Sequence, residues 1–125
     1  MAPPKILVVD YEKYIRMIYQ EELESEGYEV TVSDGQGNIL ELLDRVKPSV
    51  VTMDINLGVG LSGLDLIQKI RGKDQLVPII LSTSYESFQH DLKAVAADFY
   101  VVKSADLTVL KSKIRLAVVM AAKQN

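Results

Sequence analysis

Two hydrophobic periods alternate along the chain. Short apolar runs, Ile6-Leu7-Val8-Val9, Val50-Val51-Thr52-Met53, Pro78-Ile79-Ile80-Leu81-Ser82 and Phe99-Tyr100-Val101-Val102, stop respectively at Asp10, Asp54, Thr83 and Lys103. Runs of this length, rich in β-branched residues, predict strands covered on both faces, as in a parallel sheet. Tyr28-Glu29-Val30-Thr31-Val32 alternates instead, which predicts an edge strand. Between the runs, apolar residues return at helical spacing. Ile15, Ile18, Tyr19 and Leu23 mark a first helix closed by Gly27, and Ile39, Leu42, Leu43 and Val46 a second ended by Pro48. Leu64, Ile67 and Ile70 mark a third ended near Gly72, and Phe88, Leu92 and Val95 a short fourth. Leu107, Leu110, Ile114, Ala117 and Ala121 mark a fifth, with Ser104 placed to cap its start.

Strands and helices in strict alternation with short connections predict an α/β fold: a doubly wound, five-stranded parallel sheet with right-handed crossovers, of flavodoxin-like (βα)5 form. Among doubly wound strand orders, 2-1-3-4-5 is expected. The pattern covers residues 1–125 without repeat, low-complexity tract or linker, so a single domain is expected. A chain of 125 residues can bury one core and fold alone.

Composition narrows the function. Apolar residues at 48% and charged residues at 25% fit a globular protein rather than a disordered one. The absence of cysteine excludes disulfides and thiolate metal sites, and His90 alone cannot build a histidine site, so any metal must be held by oxygen. The stretch Leu116 to Ala122 is too short to span a bilayer, which makes the cytoplasm the expected location and excludes the membrane as a partner. A net charge of −3 with scattered Lys and Arg offers no basic patch, so direct nucleic-acid binding is not expected and proteins are the expected partners.

In an open α/β sheet, ligands bind outside the carboxyl ends of the strands, where strand order reverses. There the predicted fold gathers Asp10, Asp54, Thr83 and Lys103, expected to line one shallow acidic pocket in which the two aspartates can share an ion. Asp54 can attack phosphorus as a carboxylate nucleophile. Mg²⁺ held by Asp10 and Asp54 would offset the repulsion between nucleophile and anionic donor. Lys103 supplies a second positive charge for phosphoryl oxygens. The Thr83 hydroxyl can bond an oxygen that is absent before transfer, and so report the chemical state.

The runs Ile6-Leu7-Val8-Val9-Asp10, Met53-Asp54-Ile55-Asn56-Leu57, Leu61-Ser62-Gly63, Pro78-Ile79-Ile80 leading to Thr83, and Tyr100-Val101-Val102-Lys103 together resemble the response-regulator receiver family over essentially the whole chain. The resemblance implies a two-component phosphorelay switch, with Asp54 as phosphoacceptor and weak self-phosphorylation and self-dephosphorylation at most. It also implies that the main-chain carbonyl of Asn56 is a metal ligand, that Thr83 and Tyr100 are the switch pair, and that Lys103 binds phosphate. A histidine kinase or phosphotransfer protein would supply the phosphoryl group, and a downstream effector protein or domain would read the result. Val109, Leu116 and Met120 lie off the core stripe of the fifth helix, which leaves a face for a partner or for a homodimer.

The chain departs from the family pattern in four places. Tyr11 stands where a second acid usually touches the metal, which predicts weakened Mg²⁺ binding. Glu12 follows it, as a first-turn acid favoured by the helix dipole or as a substitute for the missing carboxylate. The loop Gly58 to Gly63 is slightly long, Ser104 replaces a proline that usually forms a cis bond, and the stretch from Thr83 to Lys103 is slightly short. These departures motivate an alternative, a pseudo-receiver that signals without phosphorylation. A hydrolase using Asp10 and Glu12 is a third reading, in which Asp54 has no role.

Overall fold

Three of the predicted strands are apolar at successive positions because both of their faces are covered. In the computed structural model, which describes residues 2–84 and 96–124, β1 (Lys5–Val9), β3 (Val50–Met53) and β4 (Ile79–Thr83) are buried almost throughout. With β2 (Glu29–Ser33) and β5 (Phe99–Val102) they form one five-stranded parallel sheet in the order β2-β1-β3-β4-β5, as predicted. The described helices are α1 (Lys13–Ser25), α2 (Ile39–Val46), α3 (Gly63–Lys73) and α4 (Thr108–Lys123). The helix expected around Phe88, Leu92 and Val95, and His90 with it, lies outside the described residues.

Successive strand side chains point to opposite faces, which splits the core in two. Leu7, Val9, Val51, Met53, Ile79 and Leu81 pack against Ile39, Leu43, Leu66, Ile67 and Ile70 of α2 and α3. Ile6, Val8, Val50, Ile80 and Val101 pack against Tyr19 and Leu23 of α1 and Leu110, Ile114 and Ala117 of α4. β2 is an edge strand, as its alternation predicts. β5 is the other edge and is only half-buried, although its apolar run resembles that of an inner strand; it pairs with β4 alone.

Most helix ends fall where local chemistry places them. Gly27, at φ +94°, follows α1 in the left-handed conformation that glycine adopts without steric penalty. Asn38 caps α2 by accepting from Leu40 N and Glu41 N, and Ser62 caps α3 by accepting from Leu64 N. Ser104 does not cap the last helix. It accepts from Asp106 N, and Asp106 in turn accepts from the backbone N–H and hydroxyl of Thr108. The short turn before α4 moves the helix start four residues beyond Ser104, and the N-cap position falls on Leu107, which makes no side-chain cap bond.

At the end of the sheet remote from the aspartates, Arg71 donates to the carbonyls of Ala96, Asp74 and Val77 and to Asp98 Oδ2, 2.9 Å away. Asp98 Oδ2 also accepts from Ile79 N. One guanidinium thereby ties the end of α3 to the starts of β4 and β5.

Candidate functional site

Sheet register brings the strand-end residues together. Val9 pairs with Met53, so Asp10 and Asp54 leave adjacent strands side by side, and Asp54 N donates to Val9 O. Thr83 pairs with Val102, and Lys103 N donates to Thr83 O at 2.7 Å. Lys103 then reaches across: its Nζ lies 2.8 Å from Asp10 Oδ2, 3.2 Å from Asp54 Oδ2 and 3.5 Å from Glu12 Oε1. The Asp10, Asp54 and Lys103 side chains are only 2%, 7% and 8% exposed. The site is therefore a nearly closed ion cluster rather than the shallow pocket expected. Packed strand ends and the α1 and α3 connections close around it.

Burial is the largest influence on Asp10 and raises its pKa from 3.8 to about 6; the hydrogen bonds from Lys103 and Glu12 N oppose that rise, and the charge of Asp54 adds to it. For Lys103, burial is again the largest single influence and pulls its pKa down. The hydrogen bond and charge of Asp10, with those of Asp54, outweigh it and leave the ammonium above its ordinary value. Near neutral pH the two shifts agree on an ionised pair: Asp10 has lost its proton and Lys103 keeps its own.

The loops around the cluster are held by their backbones. Asp10 Oδ1 accepts from Glu12 N at 2.9 Å, and Arg16 donates to the carbonyls of Asp10 and Tyr11. Gly63 N donates to Ile55 O and Leu57 N to Leu61 O, which closes an antiparallel bridge between Asn56 and Ser62 without using the Asn56 carbonyl. A Cβ at position 63 would stand 1.8 Å from the Asp54 carbonyl oxygen, so only glycine lets α3 start this close to the aspartate. Tyr11 offers the cluster its N–H, 3.4 Å from Asp54 Oδ2, while its half-exposed ring leans on the backbone of Gly58.

Thr83 and Tyr100 share one face of the sheet: Leu81 pairs with Tyr100, Thr83 with Val102, and Tyr100 packs against the core under α2 and α3. Two contacts were not read from the sequence. Arg16 looks like an ordinary helix-surface cation until the loop carbonyls are placed. Tyr19 and Ser82 look like core members, yet the Tyr19 hydroxyl and Ser82 Oγ meet at 2.8 Å in the interior between α1 and β4. Burial raises the Tyr19 pKa, with the Ser82 bond opposing. Hydroxyls at two otherwise apolar positions were the only available signal.

With this geometry in place, the comparisons with known proteins are decisive. The family profile described as the response regulator receiver domain matches residues 6–115. The chain belongs to the response-regulator receiver family. This receiver domain is 34% identical over 119 residues to the transcriptional regulatory protein YkoG of Bacillus subtilis, covering 94% of this chain and 52% of that protein. Thus the chain spans about half the length of that relative. Among solved structures it is similar to the response regulator TrrA of Thermotoga maritima in complex with Mg²⁺-BeF, with TM-score 0.84, 38% identity, and coverage of 91% of this chain and 98% of that one. TrrA bound to the histidine kinase ThkA is a further match, with TM-score 0.76 and 38% identity over 91% of this chain and 97% of that one. Family membership displaces the hydrolase reading. Among the described residues, no cis peptide bond is present and no helix is long and apolar enough to cross a membrane.

Proposed function

We propose that this receiver domain takes a phosphoryl group on Asp54 from the phosphohistidine of a histidine kinase or phosphotransfer protein, and passes the change to an effector protein or domain. The observation that carries this reading is the Lys103 ammonium shared by the buried carboxylates of Asp10 and Asp54. An Asp54 carboxylate oxygen attacks phosphorus, and the P–O bond forms as the P–N bond breaks. The imidazole departs with the bonding electron pair and takes up a proton. Lys103 is placed to neutralise the arriving phosphoryl oxygens, and the Thr83 hydroxyl to bond one of them. Movement of Thr83 toward the phosphate would open space for Tyr100 on the same face, shifting the populations of two states.

The residues fit Mg²⁺. Two carboxylate oxygens already converge on one cation, and the Asn56 carbonyl is not consumed by its bridge to Ser62. Asp10, Asp54 and that carbonyl would hold the ion, which when bound supplies positive charge between acceptor and donor. Because Tyr11 contributes no carboxylate, the site is expected to be weak. Tyr11→Asp should lower the Mg²⁺ concentration for half-maximal Asp54 phosphorylation by about tenfold or more, a change of about 1.4 kcal/mol in binding. Superimposable Mg²⁺ titrations of the two proteins would refute this.

The deciding experiment is intact mass after acyl-phosphate treatment, with and without Mg²⁺. Wild type should gain one covalent phosphate and Asp54→Asn none. An unmodified wild type would favour the phosphorylation-independent reading, which the intact acceptor, lysine and hydroxyl set otherwise disfavours. We place the domain in the cytoplasm with its kinase. The exposed Val109 and Leu116, beside the half-buried Met120 on α4, supply an apolar face for an effector or a second copy.

A further inference from the structure

We infer that Glu12 serves as a further carboxylate of the divalent-cation site, offsetting in part the acid that Tyr11 replaces. This rests on the phosphoacceptor reading and adds a ligand to the cation site.

Position 11 contributes only an N–H to the cluster, because the Tyr11 ring lies against Gly58. Glu12 is the N-cap residue of α1, with extended backbone angles of φ −86° and ψ 119°. The short polar side chains Ser, Thr, Asp and Asn ordinarily hold this position by accepting from the amides of the first helical turn. Glu12 makes no such bond. Its carboxylate turns toward the buried cluster instead, with Oε1 3.5 Å from the same ammonium that joins Asp10 and Asp54. Its backbone is pinned there by the bond from Glu12 N to Asp10 Oδ1.

Charge supplies the reason for the ion. Two buried carboxylates, with the Glu12 carboxylate at the exposed rim, face one ammonium, which leaves an excess of negative charge at the site. A divalent cation is the species that balances this, and Mg²⁺ and its congeners take oxygen ligands. Among the described residues, no three acidic side chains already form a metal cage. Glu12 therefore has to swing from Lys103 onto the ion. Its side chain is 58% exposed, so the swing disturbs no packed core.

The test is Mn²⁺ binding to the unphosphorylated protein, followed by the EPR signal of free Mn²⁺ with Mg²⁺ as competitor; no phosphotransfer is involved. Glu12→Gln should weaken Mn²⁺ binding about tenfold, whereas Glu24→Gln, a neutralisation at the far end of α1, should change it less than about twofold. In the Tyr11→Asp background the penalty of Glu12→Gln should fall below about twofold, since two groups competing for one role are not additive. Equal affinities for wild type and Glu12→Gln, or the same penalty in both backgrounds, would overturn the inference, as would a wild type that binds no Mn²⁺ at millimolar concentration. Phosphorylation of Asp54 is read separately by mass, so normal Mg²⁺-dependent modification with unchanged Glu12→Gln affinity rejects this ligand and leaves the phosphoacceptor reading intact.

Discussion

Lys103→Met should remove about 3 kcal/mol of folding stability near pH 7 in the presence of a chelator, a large share of what holds a domain of this size together. The expectation follows from what the substitution leaves behind. Asp10 and Asp54 are almost fully buried and both carboxylates touch the Lys103 ammonium. Methionine fills similar space but offers no charge and no donor, so two buried carboxylates would face each other with Glu12 at the rim. Breaking one side of a buried ion cluster costs more than its net contribution, because the remaining charges stay desolvated. Two treatments should relieve the loss by different routes: lowering the pH toward about 4 protonates Asp10, and adding Mg²⁺ supplies the missing positive charge. Urea unfolding in chelator, in Mg²⁺ and at acid pH measures all three. A Lys103→Met protein as stable as wild type in chelator would show that Lys103 does not offset the carboxylates. A loss that neither acid nor Mg²⁺ reduces would place its cause in packing.

The same residues show how far sequence alone can be read. β1, β3 and β4 were legible because burial on both faces forces apolar residues at successive positions, and the polar residue ending each run marked the edge where the site forms. β5 was harder, since Phe99-Tyr100-Val101-Val102 is as apolar as an inner strand while pairing on one side only. Helix starts set by side-chain caps at Asn38 and Ser62 leave a local signature, but at α4 the expected cap, Ser104, is taken up in a turn with Asp106 N and the helix starts later, at Thr108, with no side-chain bond from its N-cap residue Leu107. Asp10, Asp54 and Lys103 could be gathered from strand order, whereas their closure could not. The Gly63 contact with the Asp54 backbone, the Arg16 bonds to loop carbonyls and the Tyr19–Ser82 pair depend on distances between segments far apart in the chain. The turn of Glu12 away from the helix end and toward Lys103 is of the same kind.

Asp10→Asn should make the metal-free domain more stable near pH 7, even though it removes a residue at the centre of the site. Burial first, then the charge of Asp54, raises Asp10 from 3.8 to about 6 against the opposing pull of Lys103. A carboxyl group that holds its proton more tightly when folded favours folding fully below its unfolded pKa, and loses that contribution as pH rises through the folded value. For Asp10 the window runs from 3.8 to about 6. Across it, ionisation withdraws about 3 kcal/mol of stability, from the size of the shift. Asparagine has the shape of the protonated acid and no charge to desolvate, and the shift is already net of the opposing Lys103 hydrogen bond, so a gain of up to about 3 kcal/mol is expected at pH 7. The gain should shrink steadily as pH falls toward 4, where wild-type Asp10 is itself mostly neutral. Other carboxylates titrate over the same range in both proteins, so the quantity to measure is the difference between their urea-unfolding free energies at each pH. A constant difference would show that Asp10 does not titrate in this window. A less stable Asp10→Asn protein at pH 7 would show that the Asp10–Lys103 contact outweighs the burial of charge. The predicted outcome instead describes a domain that keeps an ionised Asp10 despite its folding cost, at the position where a divalent cation would repay it.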